Sequence, residues 1–234
     1  MGDIASSLDA LAQMATTHSA VHGAHFRRML RDELEQGRHD TSFPLKPQRI
    51  LADLRSVLAD NDIVISDVGA HKVWLARLFP CLQPNTCIIS NGFASMGMAV
   101  PGAVAAKLVH PNRRVVAVTD DGGFLMNSQE LETAARLETP FVVLVFNDRS
   151  YGLIRWKQMQ QFDRPAFVDF HNPDFVKYAE SFGATGYRIE TADELAPALR
   201  TALSSNILTI IDCPVDASEN LRLSQRLGEL AVPT

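Results

Sequence analysis

Cysteine is scarce in this chain. Cys81, Cys87 and Cys213 are the only three in 234 residues. An odd count without a CxxC pair argues against a disulfide framework and against a zinc knuckle. Long apolar runs are missing too. The most apolar extended segment, residues 96–109, contains Pro101 and Lys107 and is too short to span a bilayer. The amino terminus "MGDIASSLDALAQ" has no basic region leading into an apolar core, so it does not read as a signal peptide. Positive charge is not in excess: 22 Lys and Arg against 27 Asp and Glu leave a net charge of −5. A sequence-wide attraction to nucleic acid or to an anionic membrane is therefore not expected. Neither a GxGxxG fingerprint nor a GxxxxGK[ST] loop occurs, which sets aside a generic nucleotide-binding domain. There is no internal repeat and no low-complexity tract. With 46% hydrophobic and 21% charged residues, the expectation is an ordinary cytoplasmic globular protein with one good core.

What is present is a strict alternation of two periodicities. Residues 1–46 differ from the rest and read as a helical extension: "DIASSLDALAQMA" and "HFRRMLRDELEQG" are amphipathic helices, and "RHDTSFPLKP" is a linker. From 47 to 234, helical patterns such as "QRILADLRSVLA" and "HKVWLARLF" alternate with short strands such as "IVISDV", "RVVAVTD" and "FVVLVFN". Residues 141–146 are apolar at every position, the pattern of a strand covered on both faces. The fold class is α/β, with a doubly wound, mainly parallel sheet and helices on both faces.

Two acidic turns stand out, Asp120-Asp121-Gly122-Gly123 and Asn147-Asp148-Arg149-Ser150, each directly after a strand-like run. Ligands of open α/β sheets bind at the carboxyl ends of the strands. Asp121 and Asp148 are 27 residues apart, about one right-handed crossover, so neighbouring parallel strands could aim both at one point. Gly122 and Gly123 leave their amides unobstructed. A helix beginning near Asn127, with Glu130 completing its cap, would turn its positive end toward a phosphate. Oxygen ligands beside such amides suit Mg²⁺ on a diphosphate. The alternative is that both aspartates only cap turns, as Asp often does after a strand.

The same stretch resembles the GDG-x(about 26)-NN signature of thiamine-diphosphate enzymes. "GGFLMNSQELETAARL", "DFVKYAESFGATGYRIE", "PVDASEN", "FPLKPQRILADLR" and "SDVGAHKVW" resemble acetolactate synthases of the catabolic type. The resemblance implies thiamine diphosphate and Mg²⁺ as cofactors and no FAD. It makes Asp121, Asp148 and the carbonyl of Ser150 the metal ligands. Gly69, Ala70 and His71 would meet the diphosphate together with Gly122 and Gly123, and Tyr151 joins the cofactor-binding set. Ala94 and Met96 would hold the aminopyrimidine, with Met96 bending the cofactor into a V. Leu153, Ile154 and Lys157 would face substrate. Trp156 is one residue before Lys157, about 100° round a helix, so pyruvate, as donor and acceptor, is expected to give 2-acetolactate and CO₂.

The resemblance also implies that the catalytic glutamate belongs to a separate pyrimidine-binding domain, which these residues do not resemble. The chain alone is then expected to be inactive and to work in a homo-oligomer or with a complementary pyrimidine-domain chain. A thiamine-dependent 2-keto acid decarboxylase and a non-catalytic cofactor-binding or oligomerising module are the competing readings. One departure is plain: Asp120 stands where the signature has glycine, and an extra carboxylate near a diphosphate is expected to weaken binding.

Overall fold

The computed structural model describes residues 3–14 and 21–223. Two compact units divide the chain, Met1–Glu35 and Gln36–Thr234. The first holds helices α1 (Ile4–Met14) and α2 (Val21–Glu35). Ile4, Leu8, Leu11 and Met14 recur at helical spacing along α1, and all four are exposed. Residues 38–47, read from sequence as a linker, lie in the second unit. Leu45 is fully buried, and its backbone pairs with Pro214 and Asp216 at the end of the sheet. Residues 224–234, included in the domain expected from sequence, lie outside the described residues.

The second unit runs α3 (Pro47–Val57), β1 (Ile63–Ser66), α4 (Ala70–Leu78), β2 (Cys87–Ile89), α5 (Ala99–Val109), β3 (Val115–Asp120), α6 (Asp121–Asn127), α7 (Glu130–Arg136) and β4 (Val142–Asn147). It continues with α8 (Gly152–Phe162), α9 (Phe175–Ser181), β5 (Thr185–Arg188), α10 (Leu195–Ser205) and β6 (Thr209–Pro214). All six strands are parallel, in the order β2-β1-β3-β4-β6-β5. Every residue of β1 and β3 is buried, as unbroken apolar strands require when helices cover both faces.

Alternate residues go to opposite faces. Ile63, Ile65, Val115, Ala117, Val143, Val145 and Ile210 meet α5, α7 and α9 in one core, with Phe124 of α6 edge-on to Phe175. Helices α3, α4 and α10 adjoin one another on the opposite side. The chain leaves β1 for β2 and then crosses back over β1 to form β3. The strand order therefore reverses between β1 and β3, and the carboxyl ends of those strands form the crevice where such sheets bind ligands.

One expectation is corrected. The helix expected near Asn127 begins at Glu130, as α7, and it is not the helix that directly follows β3. Helix α6 starts at Asp121, directly after β3, with Asp120 as its N-cap accepting from the Gly123 amide at 2.7 Å. Asn127 ends α6 and donates to the Gly97 carbonyl at 3.0 Å, and α7 has no side-chain cap. Gly122 and Gly123 are poor helix formers, but the aspartate cap and the short exit from the strand fix the turn.

At the far edge of the sheet, α9 lies directly on β5. A Cβ at Gly186 would meet the Val176 Cα at 2.6 Å and its carbonyl oxygen at 2.9 Å, backbone atoms that cannot rotate away. Gly186→Ala should therefore lose about 1–3 kcal/mol, seen as a fall of several degrees in Tm. An unchanged Tm would show that α9 can shift on the sheet.

Candidate functional site

The two acidic turns come together at the carboxyl ends of adjacent strands, β3 and β4. Asp121 is fully buried. Its Oδ1 accepts from the Gly122 amide at 2.9 Å. Its Oδ2 accepts from the Arg149 amide at 2.7 Å and from Asn172 Nδ2 at 2.6 Å. Arg149 follows Asp148 directly and has φ 56°, a left-handed conformation uncommon for a non-glycine residue. That turn points its N–H back to Asp121 and so ties the β4 loop to the β3 loop. Asp148 Oδ1 accepts from the Ser150 amide at 3.0 Å. Tyr151, with φ −74° and ψ 75°, closes an inverse γ-turn in which the Gly152 amide donates to the Ser150 carbonyl at 2.9 Å. A carbonyl has two lone pairs, so this bond leaves Ser150 with acceptor capacity.

Burial and mutual repulsion govern the electrostatics. Loss of solvent is the main cause that pushes the Asp121 carboxyl up to about 6, against the hydrogen bonds from Asn172 and Arg149. Loss of solvent and then the Asp121 charge push Asp148 up to about 7. Two desolvated carboxylates that repel each other suit a hard divalent cation, with the Ser150 carbonyl as a further oxygen. Among the described residues, no three His, Cys, Asp or Glu side chains converge as a metal cage. A site here would thus rest on two carboxylates, a carbonyl and non-protein oxygens.

On the β1 side, Gly69 caps α4 through its backbone, with no side-chain cap. Ala70 and His71 are buried in its first turn. Both ring nitrogens of His71 lack a hydrogen-bond partner, although the residue is only 2% exposed. Three glycines lining this crevice leave room that neighbouring side chains occupy. An added Cβ would collide with Asp120 at Gly69, with Asp120 and Asp67 at Gly123, and with the Tyr151 ring at Gly122. Such orphaned polar atoms and bare backbone are what a bound phosphate group uses. The Tyr151 ring is held over Gly122 by contact with Phe170, 4.9 Å between centroids.

Ala94 and Met96 lie in the irregular segment between β2 and α5. Ala94 is exposed with φ 55°, and Met96 is half-buried. Asp67, at the end of β1, anchors this segment by accepting from the Gly97 amide at 2.8 Å and the Met98 amide at 3.3 Å. A cleft of about 640 Å³ opens beside Asp148 and Ser150, walled by Arg155, Trp156 and Met159 on α8, by Asp169, Phe170 and His171, and by Ala217, Ser218, Asn220 and Leu221. That volume is ordinary for a small-molecule site. Leu153, Ile154 and Lys157 are not part of its wall: Leu153 is half-buried, and the other two are exposed on another side of the helix.

With this geometry established, comparison with known proteins is decisive. Residues 67–213, more than half of the chain, match the family described as thiamine pyrophosphate enzyme, C-terminal TPP binding domain. The chain belongs to that family. It is 40% identical to an acetolactate synthase of Bacillus subtilis over 98% of its own length and 42% of the relative's. A catabolic acetolactate synthase of Raoultella terrigena is 35% identical over 97% of this chain and 42% of the relative. A probable acetolactate synthase large subunit of Methanocaldococcus jannaschii is 37% identical over 80% of this chain and 33% of that protein. The chain thus spans about two fifths or less of the length of these relatives. As a thiamine pyrophosphate-binding domain, it has the expected α/β sheet with its glycine-lined crevice at the switch point.

Two residues of the crevice went unremarked in the sequence. Asp67 follows the strand run "IVIS" directly, the same signal that singled out Asp121 and Asp148. Asn172 lies 51 residues beyond Asp121, in an irregular stretch, and carries no local signal.

The buried carboxylates have a measurable consequence. Their folded pKa values lie above the ordinary carboxylate value of 3.8, so the folded chain holds more protons between about pH 4 and 7. Without metal, stability should therefore fall as pH rises through that window. Asp148→Asn should raise the stability of the chain in chelator at pH 8 by an amount on the order of 1–3 kcal/mol, with little effect at pH 4. Equal Tm changes at both pH values would refute the electrostatic account.

Proposed function

We propose that this chain is the diphosphate- and Mg²⁺-binding part of an acetolactate synthase-like enzyme that condenses two pyruvates to 2-acetolactate and CO₂. The supporting observation is the joining of the Asp121 and Asp148 turns through the Arg149 amide in a chain similar over 97–98% of its length to acetolactate synthases. In this reading Asp121, Asp148 and the Ser150 carbonyl hold Mg²⁺. The amides of Gly122 and Gly123, the α4 terminus at Gly69 and Ala70, and His71 receive the diphosphate. Thiamine diphosphate supplies, when bound, the carbon nucleophile and the electron sink for decarboxylation and carboligation.

The chain's own residues bind and orient. Tyr151 and Phe170 shield the Gly122 turn from water. Asp67 fixes the segment carrying Ala94 and Met96, which in this reading supports the aminopyrimidine. Trp156 and Met159 give the cleft one apolar wall beside the charged Arg155 and Asp169. Leu153, Ile154 and Lys157 remain assigned to the substrate side of the assembled enzyme, where a second chain or domain completes the site. The glutamate that starts catalysis belongs to that other part, so the isolated chain turns nothing over.

Calorimetric titration with thiamine diphosphate should show binding that requires Mg²⁺ and is lost in Asp121→Ala and Asp148→Ala. Mixing with a complementary pyrimidine-domain chain should then yield acetolactate from pyruvate. Free acetaldehyde in its place would favour a decarboxylase, and binding that is unaffected by either alanine would refute the metal assignment.

A further inference from the structure

The diphosphate cradle is not open, because a side chain of the protein is inside it. Asp120 ends β3 only 6% exposed, and its two carboxylate oxygens face different parts of the crevice. Oδ1 accepts the Gly123 amide at 2.7 Å. Oδ2 is directed to the amino-terminal end of α4, where it abuts the position that a Cβ on Gly69 would take and is 3.7 Å from His71 Nδ1. That distance is too long for a hydrogen bond, and His71 keeps both nitrogens unpartnered. The carboxylate is thus an anion placed against a nine-residue helix whose first turn has no side-chain cap, beside a buried imidazole without a partner. A cavity bordered by Ala70, His71, Asp120, Asp148 and Gly152 has a volume of about 20 Å³. It has room for about one water and none for a diphosphate.

We propose that Asp120 is a resident anion in the seat of the cofactor's diphosphate, so that thiamine diphosphate binds only by displacing this side chain. The inference rests on the reading of this crevice as a diphosphate site and adds a determinant of its affinity. Steric exclusion and charge act in the same direction here. The carboxylate fills the space between Gly69 and Gly123, and it repels an incoming anion at close range in a poorly screened place. The Gly123 amide cannot serve Asp120 and a phosphate oxygen fully at once. In the unliganded chain the same carboxylate is useful as the N-cap of α6.

The test is titration of the full chain with thiamine diphosphate and with inorganic pyrophosphate, each with Mg²⁺, in the parent, Asp120→Gly and Asp120→Asn. Asp120→Gly should bind both ligands at least about tenfold tighter, since charge and bulk are both removed. Asp120→Asn, which keeps the shape and a capping oxygen, should fall between the two. Without ligand, Asp120→Gly should melt no higher than the parent, because its cap is lost, so affinity and stability would move in different directions. A merely structural role for Asp120 would weaken both. If parent and variants bind with equal affinity, the resident-anion inference is wrong while the cofactor site stands. If none of the three binds at millimolar ligand, the diphosphate reading itself fails and this inference with it.

Discussion

Carboxylates withdrawn from water set the terms for the rest of the site. Asp67, Asp120, Asp121 and Asp148 are all placed at the carboxyl ends of three neighbouring strands, β1, β3 and β4, and each is buried or nearly so. A buried carboxylate is tolerated only where donors surround it, and here the donors are mostly backbone amides of the loops. Val68, Gly97 and Met98 donate to Asp67, Gly123 to Asp120, Gly122 and Arg149 to Asp121, and Ser150 to Asp148. The charges consequently determine the loop conformations as much as the loops place the charges. This explains how the irregular segment before α5 and the left-handed turn at Arg149 acquire single conformations without regular secondary structure.

A second layer extends this order across the sheet. Asn172 donates to Asp121 and, at 3.0 Å, to Asn147 at the end of β4. Asn147 donates to Asp212 in β6 at 2.7 Å, and Asp212 accepts from Arg188 in β5 at 3.3 Å. Arg188 reaches Asp174, the N-cap of α9, at 2.7 Å. Four strand ends are thereby joined laterally through side chains, from the crevice to the exposed edge. Each member has a donor or acceptor whose loss would leave a partner unsatisfied in a half-buried row, so the position of Asp121 depends on residues well outside the crevice.

How much of this could be read from the chain of letters follows from the range of each interaction. Unbroken apolar runs such as residues 141–146 are local, and they identified buried parallel strands and helices on both faces. The convergence of Asp121 and Asp148 was accessible because one crossover has a nearly fixed length. The start of α6 was not. Two glycines argue against a helix by propensity, and the cap that overrides them depends on which rotamer Asp120 adopts against Gly69. Asn172 was hidden for a related reason. Its partner is 51 residues away, and a lone asparagine in an irregular stretch has no periodicity to mark it. The thiamine signature could suggest which residues gather at the crevice, but it has glycine where Asp120 stands and so gave no indication of which way that carboxylate turns.

That turn matters because of the charge balance. Asp121 and Asp148 form a close acidic pair whose pKa values are raised first by loss of solvent and, at Asp148, next by the Asp121 charge. Asp120 adds a further carboxylate on the opposite flank, answered by a single amide hydrogen bond and an unpartnered imidazole nearby. A diphosphate entering with its metal brings more negative charge than the metal removes. At the α4 terminus bare backbone and His71 are grouped, and the Asp120 carboxylate already lies between Gly69 and Gly123. Under the proposed displacement, cap and ligand compete for one location, and a side chain assigned to neither metal nor substrate tunes the affinity of the cofactor site.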